Sequence, residues 1–125
     1  MDNSILTDIK KLLGLPAEYD VFDQDIILHI NSVFFKLRQL GVGPEKAFSI
    51  TDDKTQWSDF STEMVDYEAI KTYIYMNVRL IFDPPQNSFV VNALQDQIKE
   101  YEWRLLTEGS LRNTTTSDDS EAEHV

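Results

Sequence analysis

Ile26, Ile30, Val33, Leu37 and Leu40 recur at steps of three and four, with Ile27 and Phe34 beside them, until Gly41 breaks the pattern. This spacing lines one side of an α-helix with apolar residues. A helix with one apolar stripe must bury it against other elements, so the rest of the chain has to supply partners of the same kind. Asp20, Asp23 and Asp25 precede or open this helix and suit the positive end of its dipole, while Lys36 and Arg38 suit the negative end.

Three further segments supply those partners. Ile5, Ile9, Leu12 and Leu13 repeat at helical spacing behind Asn3 or Ser4 as a cap, and Gly14 is a natural stop. Ile70, Ile74, Val78 and Ile81 mark a helix from about Tyr67 to Phe82, which Asp83-Pro84-Pro85 ends because proline cannot continue it. Behind Ser88, the residues Val91, Leu94, Ile98, Tyr101 and Leu105 form the seam of a bundle partner. The spacing therefore predicts an all-α fold, a small four-helix bundle with helices near 4–14, 22–40, 66–82 and 88–106. Ile30, Phe34, Ile74, Val78, Leu94 and Ile98 are expected to share one core.

Between the second and third helices the pattern lapses. Gly41-Val42-Gly43-Pro44 opens an irregular loop in which 47–50 has room for a short strand and 55–60 for a helical turn. Beyond Gly109 the composition turns to Ser, Thr, Asn, Asp and Glu, with Asp118, Asp119, Glu121 and Glu123 against Arg112 alone. That composition buries too little to offset ordering entropy, so the chain divides into a helical domain over 1–109 and a disordered acidic tail over 110–125. The excursion over 45–66 is expected to be mobile for the same reason.

Composition narrows the function. A chain of 125 residues accommodates one domain, and 42% apolar residues suffice for a core. The net charge of −11 opposes any broad grip on nucleic-acid phosphate or an anionic bilayer. Without cysteine there is neither a disulfide nor a thiolate metal site. No signal peptide or membrane span is apparent, so a soluble protein made in the cytoplasm is expected.

Chemistry-bearing motifs are missing as well. His29 and His124 are the two histidines, and no metal-binding histidine pair, phosphate loop or nucleophile elbow occurs. His29 reads as a boundary residue of the second helix. The aspartates at 20, 23 and 25 lack the glycine and closing glutamate of a calcium loop. The acidic stretch Asp52, Asp53, Asp59, Glu63, Asp66 and Glu68 reads as a solvated loop. No enzymatic activity, cofactor or metal is expected.

Large apolar residues on the wrong faces are more informative. Phe35 points away from the apolar stripe of the second helix, and Trp103 away from the seam of the last. Tyr75 and Phe82 lie off the main face of the third. Such placement requires burial between two layers or a contact with another subunit.

The succession Ile5-Leu6-Thr7-Asp8-Ile9-Lys10-Lys11-Leu12-Leu13-Gly14, Asp25-Ile26-Ile27-Leu28-His29-Ile30-Asn31-Ser32-Val33-Phe34 and Leu40-Gly41-Val42-Gly43-Pro44 resembles the head-to-tail connector (adaptor) proteins of tailed bacteriophages. Ile70-Lys71-Thr72-Tyr73-Ile74-Tyr75-Met76-Asn77-Val78-Arg79-Leu80-Ile81-Phe82-Asp83-Pro84-Pro85 and Glu102-Trp103-Arg104-Leu105 look like its long helix, proline stop and closing helix. The resemblance spans about residues 4–106. It implies a structural virion protein, made in the host bacterial cytoplasm, whose copies form a dodecameric ring under the portal protein and above the next head-completion or tail protein. DNA would pass through that ring without sequence-specific binding. Phe35, Tyr75, Phe82, Trp103, Arg104 and Arg112 become the expected subunit or portal interface. An acidic DNA mimic or regulatory binding protein is the alternative, though its carboxylates should array along one surface, and here they scatter in sequence.

Overall fold

A computed structural model describes the backbone over residues 4–60 and 67–124, with side chains through Thr107. Five helices follow one another in it: α1 (Ile5–Leu12), α2 (Asp23–Gln39), the short α3 (Trp57–Phe60), α4 (Tyr67–Phe82) and α5 (Ser88–His124). The four expected helices are present, and α3 is the turn anticipated at 55–60. The helix assignment of α5 runs on to His124. The tail expected over 110–125 falls on residues whose side chains lie outside the described ones, as do residues 61–66 of the excursion.

Local chemistry explains the ends. Ser4 caps α1, its Oγ accepting from the Thr7 amide at 3.2 Å. Behind α1 the chain reverses at Gly14, whose φ of 84° favours glycine. Gly41 performs the same task after α2 with φ of 80°, and the Val42 amide donates to the Leu37 carbonyl at 2.9 Å. Phe22 at the start of α2 makes no side-chain cap bond, so Asp23 and Asp25 in the first turn provide its acidic compensation. Asp23 also pairs with Lys10 at 2.8 Å. Lys10 is buried, and its ammonium donates to the Ala17 carbonyl at 2.9 Å, tying α1 to the turn that leads into α2.

α4 is the centre of the molecule and packs against α1, α2 and α5. Ile70, Tyr73, Ile74, Met76, Asn77 and Val78 are all buried, on most of its circumference. Ile30, Phe34, Ile74, Val78 and Ile98 join the core as expected, with Leu94 packed against it half-buried. Ile81 departs from expectation. Although it continues the Ile70–Ile74 face, it is 62% exposed.

The irregular loop is better anchored than its composition predicts. No strand forms at 47–50; instead the Asn31 side-chain amide serves as the partner strand. Its Nδ2 donates to the Ile50 carbonyl at 2.9 Å and its Oδ1 accepts from the Ile50 amide at 2.8 Å. Phe34, Phe48 and Phe60 form a three-ring cluster with centroids 4.9 to 5.3 Å apart. Gly43, at φ of 92°, lies flat on the Phe60 ring, where a Cβ would collide with it. The β-like pairing occurs further on, as an isolated antiparallel bridge between Ser4 and Gln56. Over 48–60 the expected mobile excursion is therefore a pinned segment, because four aromatic or aliphatic side chains reach the core.

Candidate assembly surface

Asp8 on α1, Trp57 on α3 and Lys71 on α4 meet at one joint. The Trp57 indole N–H donates to Asp8 Oδ2 at 2.7 Å, and the Lys71 ammonium stands 5.6 Å from the indole centroid and 3.4 Å from the same carboxylate. A second polar chain links α2, α4 and α5. Lys36 Nζ donates to Asn77 Oδ1 at 3.2 Å, Asn77 Nδ2 to the Tyr73 carbonyl at 2.9 Å, and the Tyr73 hydroxyl to Glu102 Oε2 at 2.8 Å. Burial, and then the adjacent Glu102 carboxylate, hold the Tyr73 phenol in its neutral form well above the ordinary tyrosine range. Both networks join helices.

The expected interface residues separate into two kinds. Phe35 on α2 is 58% exposed and Trp103 on α5 is 66% exposed, each on the side of its helix turned away from α4. Arg104 follows Trp103 on the surface, its guanidinium paired with Glu100 at 2.6 Å. Tyr75 and Phe82 are half-buried, each with part of its side chain packed on the fold. Tyr75 packs half-buried against the core, and its hydroxyl accepts from Arg79 at 2.8 Å. Phe82 packs edge-on against Phe22 at 5.2 Å, and Phe22 against Tyr19 at 5.9 Å. The side chain of Arg112 lies outside the described residues.

Sequence reading missed some of the surface. Leu28 is 66% exposed one heptad before Phe35, and Phe89 is 82% exposed at the start of α5. Phe89 stands fourteen positions before Trp103, so the two lie within about 40° of each other around the helix. That heptad spacing was the signal, hidden because the core pattern of each helix dominates its periodicity. Val90 and Leu106 add to the apolar surface of α5.

The acidic segments also converge. Glu18, Asp20, Asp23, Asp52 and Asp53 line an open hollow of about 310 Å³ between the α1–α2 turn and the loop. Among the described residues no cluster has the arrangement to hold a metal ion. His29 is half-buried on α2, the boundary position its angle predicts. Among the described residues no helix is long and apolar enough to cross a membrane.

What this body offers a partner is a set of exposed aromatic side chains on a helical core. Comparison with characterised proteins and with solved structures returned no match. A family model described as phage connector protein matches residues 5–110. That span takes in all of α1 to α4 and the part of α5 that packs on the core, and the chain accordingly belongs to the phage connector protein family, a structural kind of protein.

Proposed function

We propose that this connector protein is one subunit of a ring that docks under the portal of a DNA-filled capsid and forms part of the conduit between head and tail. The observation that carries the reading is the pair of exposed aromatics on different helices, Phe35 on α2 and Trp103 on α5. A ring needs two unlike patches on each subunit, because every contact is heterologous and the rotation must close. Exposed aromatics supply the anchors that such contacts favour. Net charge of −11 suits a wall past which DNA slides, since each neutralised phosphate would add salt-dependent affinity.

The body over 1–109 carries the ring contacts, and residues near 100–112, with Trp103, Arg104 and Arg112, reach the portal. Tyr75 and Phe82 contribute to the same subunit or portal interface through the part of each side chain that stays exposed. Residues 113–125 add nothing to portal binding. The family match favours this role over an acidic DNA mimic, although five carboxylates do gather round the hollow between the α1–α2 turn and the loop.

Truncation tests the assignment. A chain ending at Asn113 should bind purified portal protein like the full chain, and one ending at Glu100 should not bind, as read by co-sedimentation and native mass spectrometry. Equal binding by both removes residues 101–113 from the contact, and loss already in the longer chain transfers the role to the tail.

A further inference from the structure

The outward face of α2 is complementary to itself. Leu28 and Phe35 are its two exposed apolar residues, and they lie equidistant from the midpoint between Asn31 and Ser32. Seven positions apart, they fall within about 20° of each other around the helix and about 10 Å apart along it. Exposed Gln24 and Gln39 continue the same strip at the same distances beyond them, and Ser32, small and exposed, sits at its middle.

Charge follows the same symmetry. Asp25 stands at one end and Lys36 toward the other, both displaced by about 70° to 90° to the same side of the Leu28–Phe35 line. Two such helices, antiparallel and related by a two-fold axis through that midpoint, bring residues on the same side at opposite ends face to face. Leu28 of each copy then meets Phe35 of the other, and each Asp25 comes within side-chain reach of the other copy's Lys36. Both residues are exposed, and among the described residues neither has an oppositely charged partner within its own chain. Lys36 also makes the bond to Asn77 at 3.2 Å that links α2 to α4, and pairing with the other copy's Asp25 would replace it. Antiparallel α2 helices also set opposite dipole ends side by side.

We propose that the free protein forms an isologous dimer through α2, with a second copy of this chain covering Leu28 and Phe35. The contact is one helix against one helix, which is smaller than the roughly 1,200 to 2,000 Å² of a stable standard interface. Association is therefore weak, concentration-dependent and reversible. The dimer is two-fold where a ring contact is heterologous, so it stands or falls without the ring. It keeps Phe35 out of water until a different neighbour competes for the face.

Because the chain contains no cysteine, the two-fold axis is directly testable. Ser32 lies almost on that axis, so full-length Ser32→Cys should oxidise to a covalent dimer, while Trp103→Cys, exposed but on α5, should stay at 14.5 kDa under the same conditions. Sedimentation equilibrium of the unmodified chain, without portal protein, should show the average mass rising with concentration, and Phe35→Glu should abolish the rise with an unchanged helical spectrum. Reversing one charge with Asp25→Lys should weaken association, and adding Lys36→Asp should restore it. Cross-linking of both cysteine variants at equal rates would overturn the proposal, as would a mass of 14.5 kDa at every concentration. Neither result would touch the ring reading, which the portal-binding truncations test.

Discussion

α4 and α5 are neighbours that both carry aromatics, yet they spend them differently. α4 packs on three helices and buries Tyr73 completely, with Tyr75 and Phe82 half-buried. α5 packs mainly on α4; Ile98 and Leu105 are its buried apolar residues through Thr107, and Trp103 and Phe89 stand in solvent. Aromatics are therefore sheltered on one helix and exposed on the other. What separates the two is the number of neighbours a helix has. On the central helix Ile81 is the one exposed large apolar residue, whereas the peripheral helix leaves Phe89, Val90, Trp103 and Leu106 exposed.

The largest expected effect lies at the centre. Ile74 on α4 is fully buried, so Ile74→Asp places a carboxylate where no partner exists, at a cost of about 3 to 5 kcal/mol, enough to unfold a marginal domain. Circular dichroism of the variant should show a collapse of helicity at temperatures where the parent chain is folded. A melting curve like that of the parent would remove α4 from the core and with it the contrast between the two helices.

A smaller effect is expected at the link between them. Tyr73→Phe removes the bond to Glu102 and should cost about 1 kcal/mol at neutral pH, because the half-buried Glu102 recovers water. The sign of its pH dependence follows from the raised phenol. Below pH 10.0, the ordinary tyrosine value, the hydroxyl is neutral in both folded and unfolded chains and its contribution is fully present. Above that value the unfolded chain ionises first, so stability falls as pH rises. Urea titrations at pH 8 and pH 11 should show the gap between parent and Tyr73→Phe narrowing or reversing at the higher pH. A gap independent of pH would mean that burial and Glu102 do not raise the Tyr73 phenol.

The smallest effect on the monomer, and the sharpest for assembly, belongs to the periphery. Trp103→Ala should leave monomer stability within about 0.5 kcal/mol, since the ring is exposed. Ring formation or portal attachment, followed by electron microscopy, should be lost or strongly weakened. A large drop in melting temperature with assembly intact would make Trp103 an ordinary packing residue and erase the distinction from α4.

Much of this was legible in the chain itself. Helix positions, the Ser4 cap, the glycine stops at 14 and 41 and the Asp83-Pro84-Pro85 stop are local matters, decided by spacing and by backbone conformations that neighbouring residues allow. Phe35 and Trp103 could be named as surface residues by the same reasoning, because a residue opposite a helix's apolar stripe faces away from the core. The connector resemblance rested on the order of several such segments, which the family match over 5–110 bears out.

Tertiary structure decided the rest, for reasons that periodicity cannot contain. Tyr75 and Phe82 looked as displaced as Trp103, and their half-burial came from how many neighbours α4 happened to have. Ile81 kept its place in the repeat and is nonetheless 62% exposed. Asn31 on α2 holds Ile50 across 19 residues of chain, and Lys10 is buried against Asp23, contacts that no helical spacing marks in advance. A sequence determines what each segment would do alone, through spacing and dihedral preference. Which side chains find partners depends on distances between segments, and those exist once the helices have packed.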